Sequence, residues 1–188
     1  MRKIVLMMSV SVDGFIEGPN RELDWSSGGD EFHEHVDELL GAMSVFINGR
    51  VVYQLMADYW PTADSDPACA PHVARFAHIW REMPKMVFSR TLTRADWNTT
   101  IHREIVPAQL RELQLQPGGD MVVGGAELGA AFMEHDLIDE YRIYVHPAVI
   151  GRGRPLFRCP DKKLALHLAE TRGFGSGVVL LRYERGAQ

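Results

Sequence analysis

The stretch Val122-Val123-Gly124-Gly125-Ala126-Glu127-Leu128 carries three structural signals in succession. Asp120–Val123 is a short apolar run that reads as a buried strand, and Gly124-Gly125 is a turn. Ala126–His135 then reads as a helix with Leu128, Ala131 and Phe132 on one face. A strand that turns through two glycines directly into a helix belongs at the carboxyl edge of an open α/β sheet. Ligands bind at that edge, because unpaired helix N–H groups face outward and glycine lets a phosphate come close.

Two further strand ends share this chemistry. Met43–Ile47 runs into Asn48-Gly49-Arg50, and Lys85–Phe88 runs into Ser89-Arg90-Thr91. Each places small, hydroxyl or arginine groups just past a buried strand, and their joint occurrence is the informative fact. Neither GxGxxG nor GxxxxGK[ST] is present, so a standard Rossmann fingerprint and a P-loop are both unsupported.

Around these ends, Lys3–Ser11 reads as a first buried strand stopping at the turn pair Asp13-Gly14. Glu17–Asp30 is a long loop around Trp25. Phe32, Val36, Leu39 and Leu40 mark one face of a helix from Glu31 to about Gly41. Pro107 opens a helix through Gln114 that Pro117-Gly118-Gly119 terminates. Toward the C-terminus Arg142–His146, Leu164–Ala169 and Val178–Tyr183 read as strands. The expected fold is α/β, with a mostly parallel central sheet flanked by helices and an antiparallel C-terminal hairpin. The breaker-rich residues 61–71 are expected as a surface loop rather than a linker, since about 60 residues before it would make a poor core. One domain over 1–188 is therefore expected.

Twenty basic against 25 acidic residues give a formal charge of −5, which argues against a nucleic-acid partner. The average hides a split. Residues 13–40 hold nine acids and one base, Arg21, whereas 142–163 hold six bases and one acid, Asp161. Opposite ends of one chain with opposite charge are either chance or two halves of a site. Cys69 and Cys159 form no disulfide framework, and His33 and His35 are expected as surface histidines without zinc-type spacing, so no metal site is expected. The apolar run Ile4–Met8 is too short for a signal peptide, and no stretch approaches a membrane span. A soluble cytoplasmic protein acting on a small molecule is the expectation.

The motif order resembles the dihydrofolate reductase fold. It most closely resembles the reductase domain of the bifunctional riboflavin-biosynthesis deaminase/reductase and its stand-alone relatives. The matching residues are Ser11–Ile16, Asn48-Gly49-Arg50, Val87–Arg90, Val122–Leu128, Leu137–Glu140 and the run His146–Phe157, in which a Gly-rich turn is expected to press Phe157 back on the fold. The resemblance implies a reductase using NADPH. Gly49 and Arg50 would lie along the cofactor phosphates, with Ser89, Arg90 and Thr91 near the ribose and its 2′-phosphate. Gly124, Gly125, Ala126 and Glu127 would form the helix end under the pyrophosphate. Arg90 beside two hydroxyls favours NADPH over NADH, because a 2′-phosphate wants a cation and donors. Asp13 reads as a turn residue first and a cofactor-loop residue second.

On the substrate side, Trp25 and Asp30 stand at the spacing of the tryptophan and pterin-holding acid of dihydrofolate reductases. A buried carboxylate at Asp30 would be the catalytic proton donor, although Asp30 is also a natural helix cap. His146, on the strand leading into the last motif, is a further substrate-side candidate. The leading expectation is NADPH-dependent hydride transfer to a small heterocyclic or carbonyl substrate. The alternatives are reduction of 5-amino-6-(5-phosphoribosylamino)uracil, for which Arg152 or Arg154 would hold the ribose phosphate, and reduction of dihydrofolate. A non-catalytic nucleotide- or flavin-binding protein is the reading from a different class. The zinc pattern HxE…PCxxC is absent, so no deaminase domain is expected. Relatives pair through the C-terminal strands, which implies a homodimer.

Overall fold

The computed structural model describes residues 1–157 and 163–186, so Arg158, Cys159, Asp161 and Lys162 lie outside the described residues. The chain order is β1 (Ile4–Ser11), β2 (Phe15–Glu17), α1 (Gly29–Gly41), β3 (Val45–Gly49), α2 (Arg50–Tyr59), α3 (Pro71–Glu82), β4 (Lys85–Phe88) and β5 (Thr99–His102). It continues with α4 (Pro107–Leu115), β6 (Met121–Gly124), α5 (Ala126–Glu134), β7 (Glu140–His146), β8 (Arg154–Pro155), β9 (Leu166–Gly173) and β10 (Val179–Arg185). Eight strands form one sheet in the order β5-β4-β3-β6-β1-β7-β10-β9. Neighbours from β5 to β7 are parallel, and β10 pairs antiparallel with both β7 and β9. This is the expected parallel sheet with its antiparallel hairpin.

Alternation along the strands sorts the core into two faces. Ile4, Leu6, Val45, Ile47, Met121 and Val123 pack with Leu110 of α4 and with Leu128 and Phe132 of α5. Phe46, Val87 and Val122 point the other way, toward Leu40 of α1, Tyr53 of α2 and Trp80 of α3. Central strands covered on both faces need near-continuous apolar runs, which is why MVV and VFI show no alternation in sequence. The loop at 61–71 begins as a 3-10 turn, Trp60–Thr62, and ends where Pro71 opens α3. Among the described residues, no helix is long and apolar enough to cross a membrane.

Two expectations are corrected. The His146–Phe157 run anchors through Leu156, which is 2% exposed, whereas Phe157 is 44% exposed. His33 and His35 are half-buried rather than on the surface: His33 stacks on His72 with centroids 4.3 Å apart, and His35 Nε2 lies 3.1 Å from the Tyr144 hydroxyl.

A charged knot closes the sheet where β1, β7 and β10 meet. Glu140 is 1% exposed and takes Lys3 Nζ at 2.9 Å, Arg142 Nε at 2.5 Å and Arg182 Nη1 at 3.5 Å. Burial would push its carboxyl up, but the hydrogen bonds from Lys3 and Arg142 outweigh that and hold it below the usual range. Removing Glu140 takes from Arg142 its ion-pair partner, while Lys3 keeps Glu184 and Arg182 keeps Glu170, and breaking such a buried pair costs about 3 kcal/mol. Glu140→Gln is therefore expected to lower unfolding stability by about that amount in urea at pH 7. A depressed carboxyl stabilises the fold above its unfolded-state value and loses that contribution as pH falls through its folded value. The difference between wild type and variant should accordingly shrink in acid below the ordinary glutamate range, and a constant difference would rule the knot out as its source.

Candidate active site

Parallel pairing brings the carboxyl ends of β3 and β6 level, with Asn48 opposite Gly124. α2 starts at Arg50, immediately past β3, and α5 starts at Ala126, just past β6. Gly49 and Gly125 cap the two helices, and neither cap is closed by a side-chain hydrogen bond. Two helix N-termini therefore face one cavity of about 480 Å³, which also contacts Gly49, Gly124, Gly125, Ala126 and Glu127. Gly125 sits at φ +100°, a conformation side chains rarely adopt, and a Cβ there would meet Val52 at 3.0 Å. Its N–H reaches only Met8 Sδ, at 3.2 Å, a weak acceptor that a ligand oxygen can replace.

The same cavity is lined by Arg50, Ser89, Arg90 and Thr91. Ser89 Oγ accepts N–H bonds from Leu92 at 2.9 Å and Thr91 at 3.3 Å, which leaves its own proton to donate. Among the described residues Arg90 makes no ion pair, while Arg50 donates to Gln54 Oε1 at 2.8 Å. Phe88, Leu55 and Leu128 add apolar surface to the lining. The nine residues expected around a cofactor from Gly49 to Glu127 are thus gathered at one cavity.

Several lining groups escaped the sequence reading. α2 itself went unrecognised, although Val51, Val52, Leu55 and Met56 fall at helical spacing. Arg21 lines the cavity from a loop closed by Gly18 N–H to Glu22 O at 3.0 Å, with the residue at φ 68°. Nothing in sequence marks that conformation. Arg154 also lines it, held by Glu17 at 2.8 Å and Glu127 at 2.9 Å.

The Arg154–Glu17 pair answers the charge split. β2 and β8 form an antiparallel ribbon with Glu17 opposite Arg154, so the acidic and basic stretches meet at the cavity's rim. Asp13 belongs to the same stitching. Its carboxylate takes the Ser11 hydroxyl at 2.6 Å and the Gly151 N–H at 2.7 Å, which hold it below the usual carboxylate range. It ties the turn after β1 to the loop after β7, the turn role expected of it first, and is absent from the cavity lining.

Trp25 and His146 do come together. Their rings are edge to face, with centroids 5.7 Å apart. Phe32 approaches the same imidazole at 5.5 Å. His146 is fully buried at the end of β7, with Nε2 3.0 Å from Ser9 Oγ. Burial pushes its pKa down, which favours the neutral ring. Asp30 does not join them. Its side chain is 94% exposed and lies 3.9 Å from His72 of α3, so the expectation of a buried carboxylate is corrected. The helix is capped by Gly28, not Asp30, and a Cβ on Gly28 would strike the Phe32 ring at 1.9 Å. Residues two apart on a helix face different ways, so turning Phe32 inward turns Asp30 out. Trp25 instead borders a second cavity, of about 380 Å³, with Glu22, Asp24 and Arg152.

The close backbone approach at Gly125, two glycine-capped helix ends and an arginine–hydroxyl cluster around one cavity could hold a phosphate-bearing ligand. Comparisons with known proteins agree with this architecture. The chain is 34% identical to the uncharacterized protein YyaP of Bacillus subtilis, over 97% of this chain and 94% of that one. Its fold matches a Shewanella sp. PV-4 protein assigned to riboflavin biosynthesis at a TM-score of 0.75, with 18% identity over 98% of this chain and 99% of that one. It also matches the Thermotoga maritima diaminohydroxyphosphoribosylaminopyrimidine deaminase/5-amino-6-(5-phosphoribosylamino)uracil reductase at a TM-score of 0.67, with 13% identity over 98% of this chain but 57% of that one. The model of the RibD C-terminal domain matches residues 2–180, the span that holds all the residues lining the first cavity. With sequence, fold and cavity pointing the same way, the chain belongs to the RibD C-terminal domain family, a family of reductase domains.

Proposed function

We propose that this chain is an NADPH-dependent reductase of a small heterocyclic substrate. The observation that carries the reading is the meeting of two glycine-capped helix ends with Arg50 and Arg90 around one cavity. Backbone N–H groups of α2 and α5 would hold the pyrophosphate, and Arg90 with the Ser89 and Thr91 hydroxyls would hold the 2′-phosphate. NADPH would supply the hydride, while the protein supplies position and a dry, apolar wall. The acceptor gains that hydride on carbon and a proton on its heteroatom. Asp30, exposed and remote from the cavity lining, is not the donor in this reading.

The riboflavin intermediate is the less favoured substrate. Arg154 is already engaged by two carboxylates, and Arg152 shares its cavity with Glu22 and Asp24, a poor setting for a ribose phosphate. We also propose that two copies pair along the outer edge of β9. Its residues beyond Leu166 are all exposed, and Leu168 is 57% exposed, so an unprotected eight-residue edge invites a second strand.

Fluorescence titration is expected to show NADPH binding at micromolar concentration, about tenfold tighter than NADH. Arg90→Ala should weaken NADPH about tenfold and leave NADH unchanged, since a charge-assisted phosphate contact is worth 1.5 kcal/mol or more. Equal losses for both cofactors would remove the 2′-phosphate role. In assays of NADPH oxidation with dihydrofolate and the riboflavin intermediate as acceptors, Asp30→Asn should run within about twofold of wild type with whichever acceptor turns over; a large loss in kcat would restore it to the chemistry. By sedimentation, wild type should run as a dimer and Leu168→Lys as a monomer. A monomeric wild type would remove the edge pairing.

A further inference from the structure

We propose that Phe32 and His146 form the seat of the hydride acceptor, and that Trp25 stands in that seat until the acceptor displaces it. The proposal deepens the reductase reading and rests on it for the word acceptor. The seat lies at the ends of β1 and β7, where Ser11 pairs with His146. That is two strand spacings, about 10 Å, from the β6 end that opens on the dinucleotide cavity.

His146 carries an unspent polar atom. It is fully buried, Nε2 is engaged with Ser9, and among the described residues Nδ1 has no hydrogen-bond partner. The Ser27 backbone approaches the ring and favours its protonated form, yet closes no bond of normal geometry on Nδ1. Leaving a buried ring nitrogen unpaired is costly, and a ligand with a hydrogen-bonding edge would return that cost.

The two aromatic neighbours are held very differently. Phe32 is 7% exposed and wedged between the Gly28 backbone, Tyr144 and Phe174. It is a wall. Trp25 is only half-buried, on a loop whose preceding residues Arg21–Asp24 are exposed, and its indole N–H reaches Glu22 O at a long 3.3 Å. It is a cover, and moving it breaks one weak bond and one edge contact. What replaces it should match an indole: flat, bicyclic, uncharged and polar along one edge. Among the described residues no arginine or lysine acts on the imidazole, so the seat is not built for an anion.

The probe is 2,4-dioxopteridine, a fluorescent bicycle of indole size, titrated against free and NADP⁺-saturated protein, with NADPH affinity measured in parallel. Trp25→Ala should bind the probe about fivefold more tightly than wild type, because the competing ring is gone. His146→Phe should bind it about tenfold more weakly, and His146→Gln should recover part of that loss. All three variants should bind NADPH within about twofold of wild type, which also reports that they are folded. Probe affinity unchanged or weakened in Trp25→Ala overturns the stand-in role, and that variant sits on an exposed loop where folding is not at stake. Unchanged affinity in a folded His146→Phe overturns the seat, as does failure of both wild type and Trp25→Ala to bind the probe while NADPH binds. Probe binding in the stated pattern with no NADPH binding would sink the reductase reading and leave the seat standing.

Discussion

Parallel pairing of β3, β6, β1 and β7 is the constraint on which the rest depends. Because these strands run the same way, their carboxyl ends fall on one edge, and whatever residue follows each strand is brought to that edge by register. Asn48 lies opposite Gly124, and Ser11 lies opposite His146. Residues as far apart in the chain as Ser11 and His146 thereby become neighbours without any contact specific to them. The constraint has a second effect. A parallel connection must cross over, most often through a helix, and the ends of β3 and β6 lead directly into α2 and α5, so unpaired N–H groups collect there beside the side chains. The antiparallel β10 and β9 bring no helix start to that edge, and the edge chemistry stops at His146.

This explains what was legible in the sequence. The cofactor side of the site consists of strand ends, and a buried strand is visible as an apolar run. Val122–Gly125 and Val87–Arg90 could be placed at an edge before any coordinates, because the residue types that end a strand there are also those that meet phosphate. α2 and α3 were equally visible in principle. Val73, Phe76, Ala77 and Trp80 fall at i, i+3, i+4 and i+7, and Pro71 marks the first turn. β5 was not visible. Thr99–His102 is short and lies at the edge of the sheet, where no burial demands an apolar run.

The substrate side resisted because its geometry is set by a loop. Trp25 and Asp30 have a suggestive spacing, but spacing on a chain determines direction only inside a regular helix. The first helix begins at Gly29, and Gly28 leaves room for the Phe32 ring against the backbone. That packing decides that Phe32 turns inward and Asp30 outward. The charge split misled for a related reason. Opposite runs at 13–40 and 142–163 do meet, but mainly as Glu17 with Arg154 and as Asp13 with the N–H groups of Ile150 and Gly151. They stitch the rim of the cavity, while Arg50 and Arg90 come from outside both runs.

The segment between β2 and α1 then has two duties that are not independent. Arg21 reaches the dinucleotide cavity, and Trp25, four residues on, covers His146. Between them stands Glu22. Its carboxylate takes the Asn20 amide and backbone N–H, at 2.6 and 2.8 Å, and its carbonyl accepts from Gly18 at 3.0 Å and from the Trp25 indole at 3.3 Å. The bonds that hold Arg21 at positive φ and the bond that holds the indole thus converge on one residue. Holding a non-glycine residue in that region costs about 1 kcal/mol or more, and it persists only while the surrounding bonds over-determine it. The indole bond is the longest of these, and Trp25 can leave while the Gly18 and Asn20 bonds still close the loop that presents Arg21. Both duties therefore rest on Glu22 and a few hydrogen bonds in one exposed loop, the part of the chain least described by any strand or helix pattern.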